Sequence, residues 1–465
     1  MRSIINSIFF GALGAGASLF SSPAFAQGQA KAEEPSYSAE RCCSVCPKAA
    51  DRDAYVSEYM RGYRVVVEGK DGWLFRTEAE LQWLEPNDPE LWLSLKRLIA
   101  ALKARGTQVM MFPQPPRGLV ETRMLKDETL QKFDINELQR RYSGLVDQLR
   151  AVGVLVVDGS VFSHNSGEQY FYKRDGHWKA SGSRRAAELI AAQVKEAGFS
   201  FTPKQFETSQ TGLVGSRGTM THVVSTLCGL MYPAEFGPAY QTRAPATDDL
   251  FGDEAAPEVA LVGTSFSATP TYNFLGFLRT ALNTDVYQAA MAGGGFDGAL
   301  SQYLASALYQ QNPPKLIIWE FPYQQLQRTN TAVMRRVLPL VGNGCAGRKP
   351  LLSNTVKLAG NNDLVEVIVN GGAQFTPVPA KDLWLDFQFS DPNVRVMKAE
   401  VWYADGKSQI LNGRYNSYTK MNGRFALETN YSPEAEVQPI VSIRVQSVSE
   451  TANDTTVTAT VCKRT

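Results

Sequence analysis

Four continuous apolar runs constrain the first part of this chain: Val109-Met110-Met111-Phe112, Val154-Leu155-Val156-Val157, Val259-Ala260-Leu261-Val262 and Leu316-Ile317-Ile318-Trp319. A strand that is apolar on both faces needs cover on both sides, as in parallel sheets wrapped by helices. The segments between these runs supply that cover. Asp88-Pro89 opens a helical period through Leu91, Leu95, Leu98, Ile99 and Leu102, and Gly106 closes it. Leu138, Tyr142, Leu145 and Leu149 repeat the period up to Gly153, and Ala186 to Val194 and Ala299 to Leu308 also read as helices. The alternation predicts an α/β domain built on a parallel sheet with helices on both faces, whose sites gather where strands end and loops begin.

After Cys345 the helical period disappears. Short alternating segments replace it: Leu364 to Val369, Leu383 to Phe389, Val394 to Tyr403, Arg424 to Leu427, Pro439 to Val445 and Thr455 to Val461. They are rich in β-branched and aromatic residues and are separated by Gly, Asn, Asp and Pro, which predicts an all-β sandwich. The other end of the chain reads as a secretory signal peptide: Met1-Arg2, a short apolar run from Ile8 to Phe20, and Ala24-Phe25-Ala26. The expected organisation is a signal peptide over 1–26, the α/β domain over 27–345, opening on a loose polar stretch from Gln27 to Ser38, and the sandwich over 346–465. No later stretch approaches the roughly 20 apolar residues of a spanning helix, so no transmembrane segment is expected after cleavage.

Export determines how the cysteines are read. Cys42, Cys43, Cys46, Cys228, Cys345 and Cys462 would all enter an oxidising compartment, where disulfides outcompete metal ligation. Six cysteines allow fifteen connectivities, and spacing alone does not choose among them. Cys42-Cys43-x-x-Cys46 lacks the second cluster or nearby histidine that a metal knuckle needs, so no metal and no cofactor are expected. The formal net charge is +1 and falls to zero once Arg2 leaves with the signal. Nucleic acid is therefore not an expected partner, and any polyanion must meet a local basic patch.

Two motifs carry reactive chemistry, Asp175-Gly176-His177-Trp178 and Gly263-Thr264-Ser265-Phe266-Ser267. A serine hydroxyl needs an imidazole to take its proton and a carboxylate to hold and charge-balance that imidazole. Of His164, His177 and His222, only His177 has an acid two residues away, and Ser265 follows a buried-strand pattern on a glycine-flanked turn. Either motif alone is as readily an ordinary turn. Together in an exported α/β domain they nominate Ser265 as nucleophile, His177 as base and Asp175 as orienting acid. The run Gly293-Gly294-Gly295 lets backbone approach an oxyanion closely, and Gly294 is the expected amide donor beside that of Ser265.

These motifs, with Gly69-Lys70-Asp71-Gly72-Trp73-Leu74-Phe75 and Trp319-Glu320-Phe321-Pro322, resemble the AlgX family of alginate O-acetyltransferases from about residue 40 to the C-terminus. The order, with Asp and His before Ser, is the reverse of most SGNH hydrolases, and Thr264 replaces the aspartate of their Gly-Asp-Ser block. The asparagine of their oxyanion hole has no identified counterpart. The resemblance implies an SGNH hydrolase-like domain followed by a carbohydrate-binding module. It implies a periplasmic enzyme that moves acetyl groups to the 2- or 3-hydroxyl of mannuronate residues during alginate biosynthesis and export. Its implied partners are alginate or polymannuronate and the acetylation and export machinery, including a membrane acyltransferase. The pairing it implies is Cys46 with Cys228 and Cys345 with Cys462. It also points to Lys398 and Trp402, which share one face of a strand, as glycan-binding residues. A binder of carboxylated sugars combines Lys or Arg forks with aromatic faces, which makes Arg414, Lys407 and Trp384 weaker candidates. Periodicity alone instead reads Trp402 as sandwich core. A carbohydrate acetylesterase and a non-catalytic polymer-binding scaffold are the alternatives, since the same triad can pass the acyl group to water and a binding subunit needs no chemistry.

Overall fold

The computed structural model describes residues 44–83, 88–164, 168–244, 256–358, 364–372, 375–378, 382–429, 438–448 and 454–464. The expected signal peptide, the polar stretch from Gln27 to Ser38, Cys42 and Cys43 lie outside the described residues. Strands β1 (Val66–Glu68) and β2 (Leu74–Arg76) pair across a tight turn in which Asp71 (φ 52°) and Gly72 (φ 72°) are left-handed. That conformation suits the Gly-Lys-Asp-Gly sequence there.

Strands β3 (Gln108–Gln114) and β4 (Leu155–Val156) carry the first two apolar runs. Strands β5 (Glu207–Ser216) and β6 (Glu235–Arg243) form a separate, largely exposed antiparallel ribbon. The sequence pattern does not reveal it, because its residues lack an apolar face. Strands β7 (Val259–Val262), β8 (Val286–Gln288) and β9 (Leu316–Pro322) complete a five-stranded parallel sheet of order β4-β3-β9-β7-β8. Helices Leu91–Ala104 and Ile135–Ala151 turn Leu91, Leu95, Leu98, Leu102, Leu138, Tyr142, Leu145 and Leu149 into the core. Full burial of each such side chain stabilises by about 1.5–3 kcal/mol. Both helices end at the expected glycines, Gly106 (φ 82°) and Gly153 (φ 94°). The helix expected from Ala299 to Leu308 is two, Gly298–Leu304 and Ala307–Gln311, because the Ser306 hydroxyl accepts from Tyr309 N and starts a new one.

The C-terminal part is a sandwich of two antiparallel sheets. It comprises β10 (Leu352–Lys357), β11 (Val365–Val369), β12 (Leu383–Phe389), β13 (Val396–Tyr403), β14 (Ser408–Arg414), β15 (Arg424–Glu428), β16 (Ile440–Ser447) and β17 (Thr456–Lys463). The sheets run β10-β17-β12-β15 and β11-β16-β13-β14. β10 and β14 were not expected from the pattern. Both are edge strands whose outward residues are polar or exposed.

The α/β domain and the sandwich share one continuous apolar core, joined where helix Thr331–Val341 packs on β15. Buried Glu428 on β15 accepts from Arg97 and Arg464, and Arg424 binds Asp386 and Asn343. The disulfide Cys345–Cys462 fastens the connecting segment to β17, and Cys46–Cys228 joins helix Pro47–Ala50 to helix Thr219–Cys228.

Candidate active site

An antiparallel bridge between Phe171 and Trp178 folds the Asp-Gly-His segment into a tight loop, with Tyr172 N donating to His177 O at 3.2 Å. Inside that loop Asp175 Oδ1 lies 2.6 Å from His177 Nδ1 and accepts His177 N at 3.1 Å. On the other side of the ring, His177 Nε2 lies 2.7 Å from Ser265 Oγ. The three residues are thus one hydrogen-bonded chain, in which His177 and Ser265 are 88 positions apart in sequence. Thr219, opening helix Thr219–Cys228, donates its amide to Asp175 Oδ2 (3.1 Å) and its hydroxyl to Oδ1 (3.2 Å). The Cys46–Cys228 bridge closes the far end of the same helix.

Ser265 stands just past the carboxyl end of β7, where a doubly covered parallel sheet presents its loops. Gly263 is required there by close approach, since a Cβ would meet Ser267 Oγ at 2.6 Å and Glu320 Oε2 at 2.7 Å. Glu320, fully buried on β9, collects the turn. It accepts from Thr264 N (2.9 Å), Thr264 Oγ1 (3.1 Å) and Ser267 Oγ (2.8 Å). Trp178, the last residue of the histidine motif, is buried and donates Nε1 to Phe266 O.

Burial is the largest influence on Asp175 and pushes its carboxyl up. The hydrogen bond and charge of His177, with the backbone donors of His177 and Thr219, outweigh it and hold the group below the ordinary carboxylate value. Asp175 therefore stays ionised and available to balance an imidazolium. Glu320 goes the other way: burial lifts it above the ordinary value, and the Thr264 and Ser267 donors offset only part of the rise. The His177 ring packs against Phe266 (centroids 4.7 Å apart) and Tyr272 (5.6 Å), with 20% of the side chain open to solvent.

The Ser265 amide makes no hydrogen bond among the described residues and is available to an oxyanion. The Gly294 amide faces Met291 O at 3.4 Å, a long contact. Its loop runs beside the serine turn, because Met291 N donates to Gly263 O at 2.9 Å. Asn416 of the sandwich clamps that loop, donating Nδ2 to Gly293 O (3.2 Å) and Gly294 O (2.8 Å).

On β13, Met397, Ala399 and Val401 point into the sandwich, and Lys398, Glu400 and Trp402 lie partly exposed on the opposite face. Trp402 is therefore not sandwich core. Arg414 is exposed on neighbouring β14, paired with Val396, and Lys407 is exposed in the turn between β13 and β14, paired with Asp405 at 3.3 Å. Trp384 is buried in β12 under the Arg464 guanidinium, in the core joining the two domains, so it offers no platform to a glycan.

Thr219, Glu320 and Asn416 are site residues that the sequence reading did not find. Glu320 had a signal, a lone acid within an apolar strand. Thr219 and Asn416 had none, since only the tertiary fold brings them in. Among the described residues no group of His, Cys, Asp and Glu is arranged to hold a metal ion, and no helix is long and apolar enough to cross a membrane.

Residues 66–323 match the profile of a family described as SGNH hydrolase-like domain, acetyltransferase AlgX, and residues 344–465 match that of a C-terminal carbohydrate-binding module. The chain is 35% identical to the alginate biosynthesis protein AlgX of Azotobacter vinelandii, covering 90% of this chain and 88% of that one. It is 29% identical to the probable alginate O-acetylase AlgJ of Pseudomonas aeruginosa, over 56% of this chain and 70% of that one. The solved structure of Pseudomonas aeruginosa AlgX superposes with a TM-score of 0.80 at 31% identity, covering 90% of this chain and 99% of that one.

Proposed function

Since the chain belongs to the AlgX family of alginate biosynthesis proteins, with its acetyltransferase-like SGNH domain and carbohydrate-binding module, we propose that it is a periplasmic alginate O-acetyltransferase acting through a Ser265 acyl-enzyme. The observation that carries this reading is the hydrogen-bonded chain Asp175–His177–Ser265, with contacts of 2.6 and 2.7 Å.

Ser265 Oγ attacks the carbonyl carbon of the acetyl donor while His177 Nε2 takes its proton. The negative charge that develops on the carbonyl oxygen meets the Ser265 amide, with Gly294 as the candidate second donor. Collapse of the tetrahedral species breaks the bond to the donor oxygen, which leaves with the proton from His177. A 2- or 3-hydroxyl of a mannuronate residue then gives its proton to His177 and attacks the acetyl carbon. Ser265 departs, reprotonated, and the acetyl ester remains on the sugar. Asp175 stays charged throughout and stabilises the imidazolium. Lys398 and Trp402 on the outer face of β13 hold the polymer, by carboxylate pairing and by stacking on the sugar ring. A membrane acyltransferase and the export machinery supply the acetyl group and the chain.

Incubating the protein with an activated acetyl ester and mannuronate oligomers tests the reading by mass spectrometry. Oligomers that gain acetyl mass, with transfer abolished in Ser265→Ala, support it. Undiminished transfer by Ser265→Ala overturns it, and acetate release with no acetylated oligomer would make the protein an esterase instead.

A further inference from the structure

Gly176 separates the acid and base of the site, and a Cβ there would meet Arg76 Nη2 at 2.7 Å and Cζ at 3.0 Å. The glycine leaves room for a guanidinium to lie against the backbone between Asp175 and His177. Arg76 Nε is held by Glu80 at 2.8 Å, and the Arg76 amide donates to the same carboxylate at 3.0 Å, which fixes the side chain. Its two Nη groups have no hydrogen-bond partner among the described residues, and 16% of the side chain is open to solvent. The ring of Tyr63 packs against the guanidinium at 5.4 Å, and the half-exposed Tyr59 extends that aromatic wall, 5.0 Å from Tyr63.

The surrounding charge is positive. Arg52 and Arg64 approach Glu78 at 3.0 and 3.8 Å, Arg117 shares Glu80 with Arg76 at 3.1 Å, and Arg328 lies within electrostatic reach of Arg64, Arg76 and Glu78. Five guanidiniums thus face Glu78, Glu80 and Asp175. The Arg117 fork is committed to the Leu74, Tyr172 and Lys173 carbonyls, whereas the Arg76 Nη groups lie against the Gly176 backbone, between the acid and the base.

We propose that Arg76 is a specificity-determining residue whose Nη groups bind the carboxylate of an acidic sugar at the reaction site, with Tyr63 and Tyr59 against the sugar ring. This deepens the acetyl-transfer reading and rests on it. A planar fork matches a carboxylate in two parallel bonds, and an aromatic wall beside it receives the apolar face of the ring. A neutral sugar leaves the fork unpaired and binds more weakly.

The test compares transfer to a mannuronate oligomer with transfer to the same oligomer after its carboxyl groups are reduced to hydroxymethyl groups. In the wild type the intact oligomer should have the lower KM. Arg76→Gln should raise KM for the intact oligomer by roughly ten- to a hundredfold, the size of a charge-assisted pair, and leave KM for the reduced oligomer within about twofold. Arg76→Lys, which keeps the charge and loses the fork, should fall between. A retained preference in both variants, or an equal rise for both acceptors, overturns the proposal. Calorimetry of both oligomers on Ser265→Ala, with and without Arg76→Gln, repeats the comparison without turnover. Carboxylate-selective binding that is lost with Arg76, while the wild type transfers no acetyl group to the intact oligomer, would refute the acetyl-transfer reading and leave the subsite standing.

Discussion

Trp178 Nε1 donates to the carbonyl of Phe266 at 3.0 Å, so the motif that carries the candidate base is tied to the motif that carries the candidate nucleophile. The ring also packs edge-on against Phe266, with centroids 5.4 Å apart. The fourth residue of Asp-Gly-His-Trp thereby sets the distance over which His177 meets Ser265.

Trp178→Phe keeps an aromatic ring and leaves the Phe266 carbonyl buried without its donor. The expected cost is about 1–3 kcal/mol of stability. Turnover of an activated ester should fall by more than the loss of folded protein explains. Urea denaturation together with ester kinetics checks this, and unchanged turnover would mean that the tie does not position the serine.

Glu320 gives a pH signature. Its folded-state pKa lies above its unfolded value. A carboxyl shifted in that direction contributes stability below the unfolded pKa of about 4.3 and loses it as pH rises through the folded value. The wild type should therefore lose stability relative to Glu320→Gln as pH climbs from about 4 towards neutrality. Denaturation midpoints of both proteins across that range measure the difference, and a pH-independent gap would show that Glu320 does not titrate there. Glu320→Ala should behave worse than Gln at every pH, because it leaves Thr264 N and Ser267 Oγ without an acceptor.

Replacing Lys398 and Trp402 together with Ala should weaken polymannuronate binding by roughly tenfold or more and leave the melting temperature within a few degrees, because both side chains lie on the outer face of β13. Val401→Ala, on the inner face, should do the reverse and cost stability. Isothermal titration beside thermal denaturation separates the two effects. Equal polymer affinity in the double variant would remove the binding role.

Loss of the Cys345–Cys462 bridge, by serine at both positions, frees a loop of 117 residues in the unfolded chain. The chain-entropy treatment puts the cost at about 4–5 kcal/mol. Denaturant unfolding of the variant against the oxidised wild type gives the value directly. A loss below about 1 kcal/mol would mean that the shared core alone holds the joint.

Much of this architecture was legible in the sequence where one physical pattern dominated. Val259 to Val262 and Leu316 to Trp319 are apolar throughout and lie between helical periods, which marks them as buried strands. Met397, Ala399 and Val401 alternate with Lys398, Glu400 and Trp402 and betray a sandwich face. The bringing together of Asp175, His177 and Ser265 was inferable because reactive residue types are few and their chemistry demands company. The ribbon β5-β6 stayed hidden because neither of its faces is buried enough to leave a hydrophobic period. Arg76, Thr219 and Asn416 stayed hidden for another reason: each acts through a contact to backbone or carboxylate that depends on a distant segment, and local spacing carries no trace of it.

The joint between the two domains is short and stiff. Helix Thr331–Val341 lies on β15, the Cys345 bridge follows within a few residues, and Asn416 reaches back to the Gly293 and Gly294 carbonyls. A flexible tether would deliver a polymer to Ser265 at random positions. If Lys398 and Trp402 grip the polymer as proposed, this joint keeps the grip at one fixed place relative to Ser265.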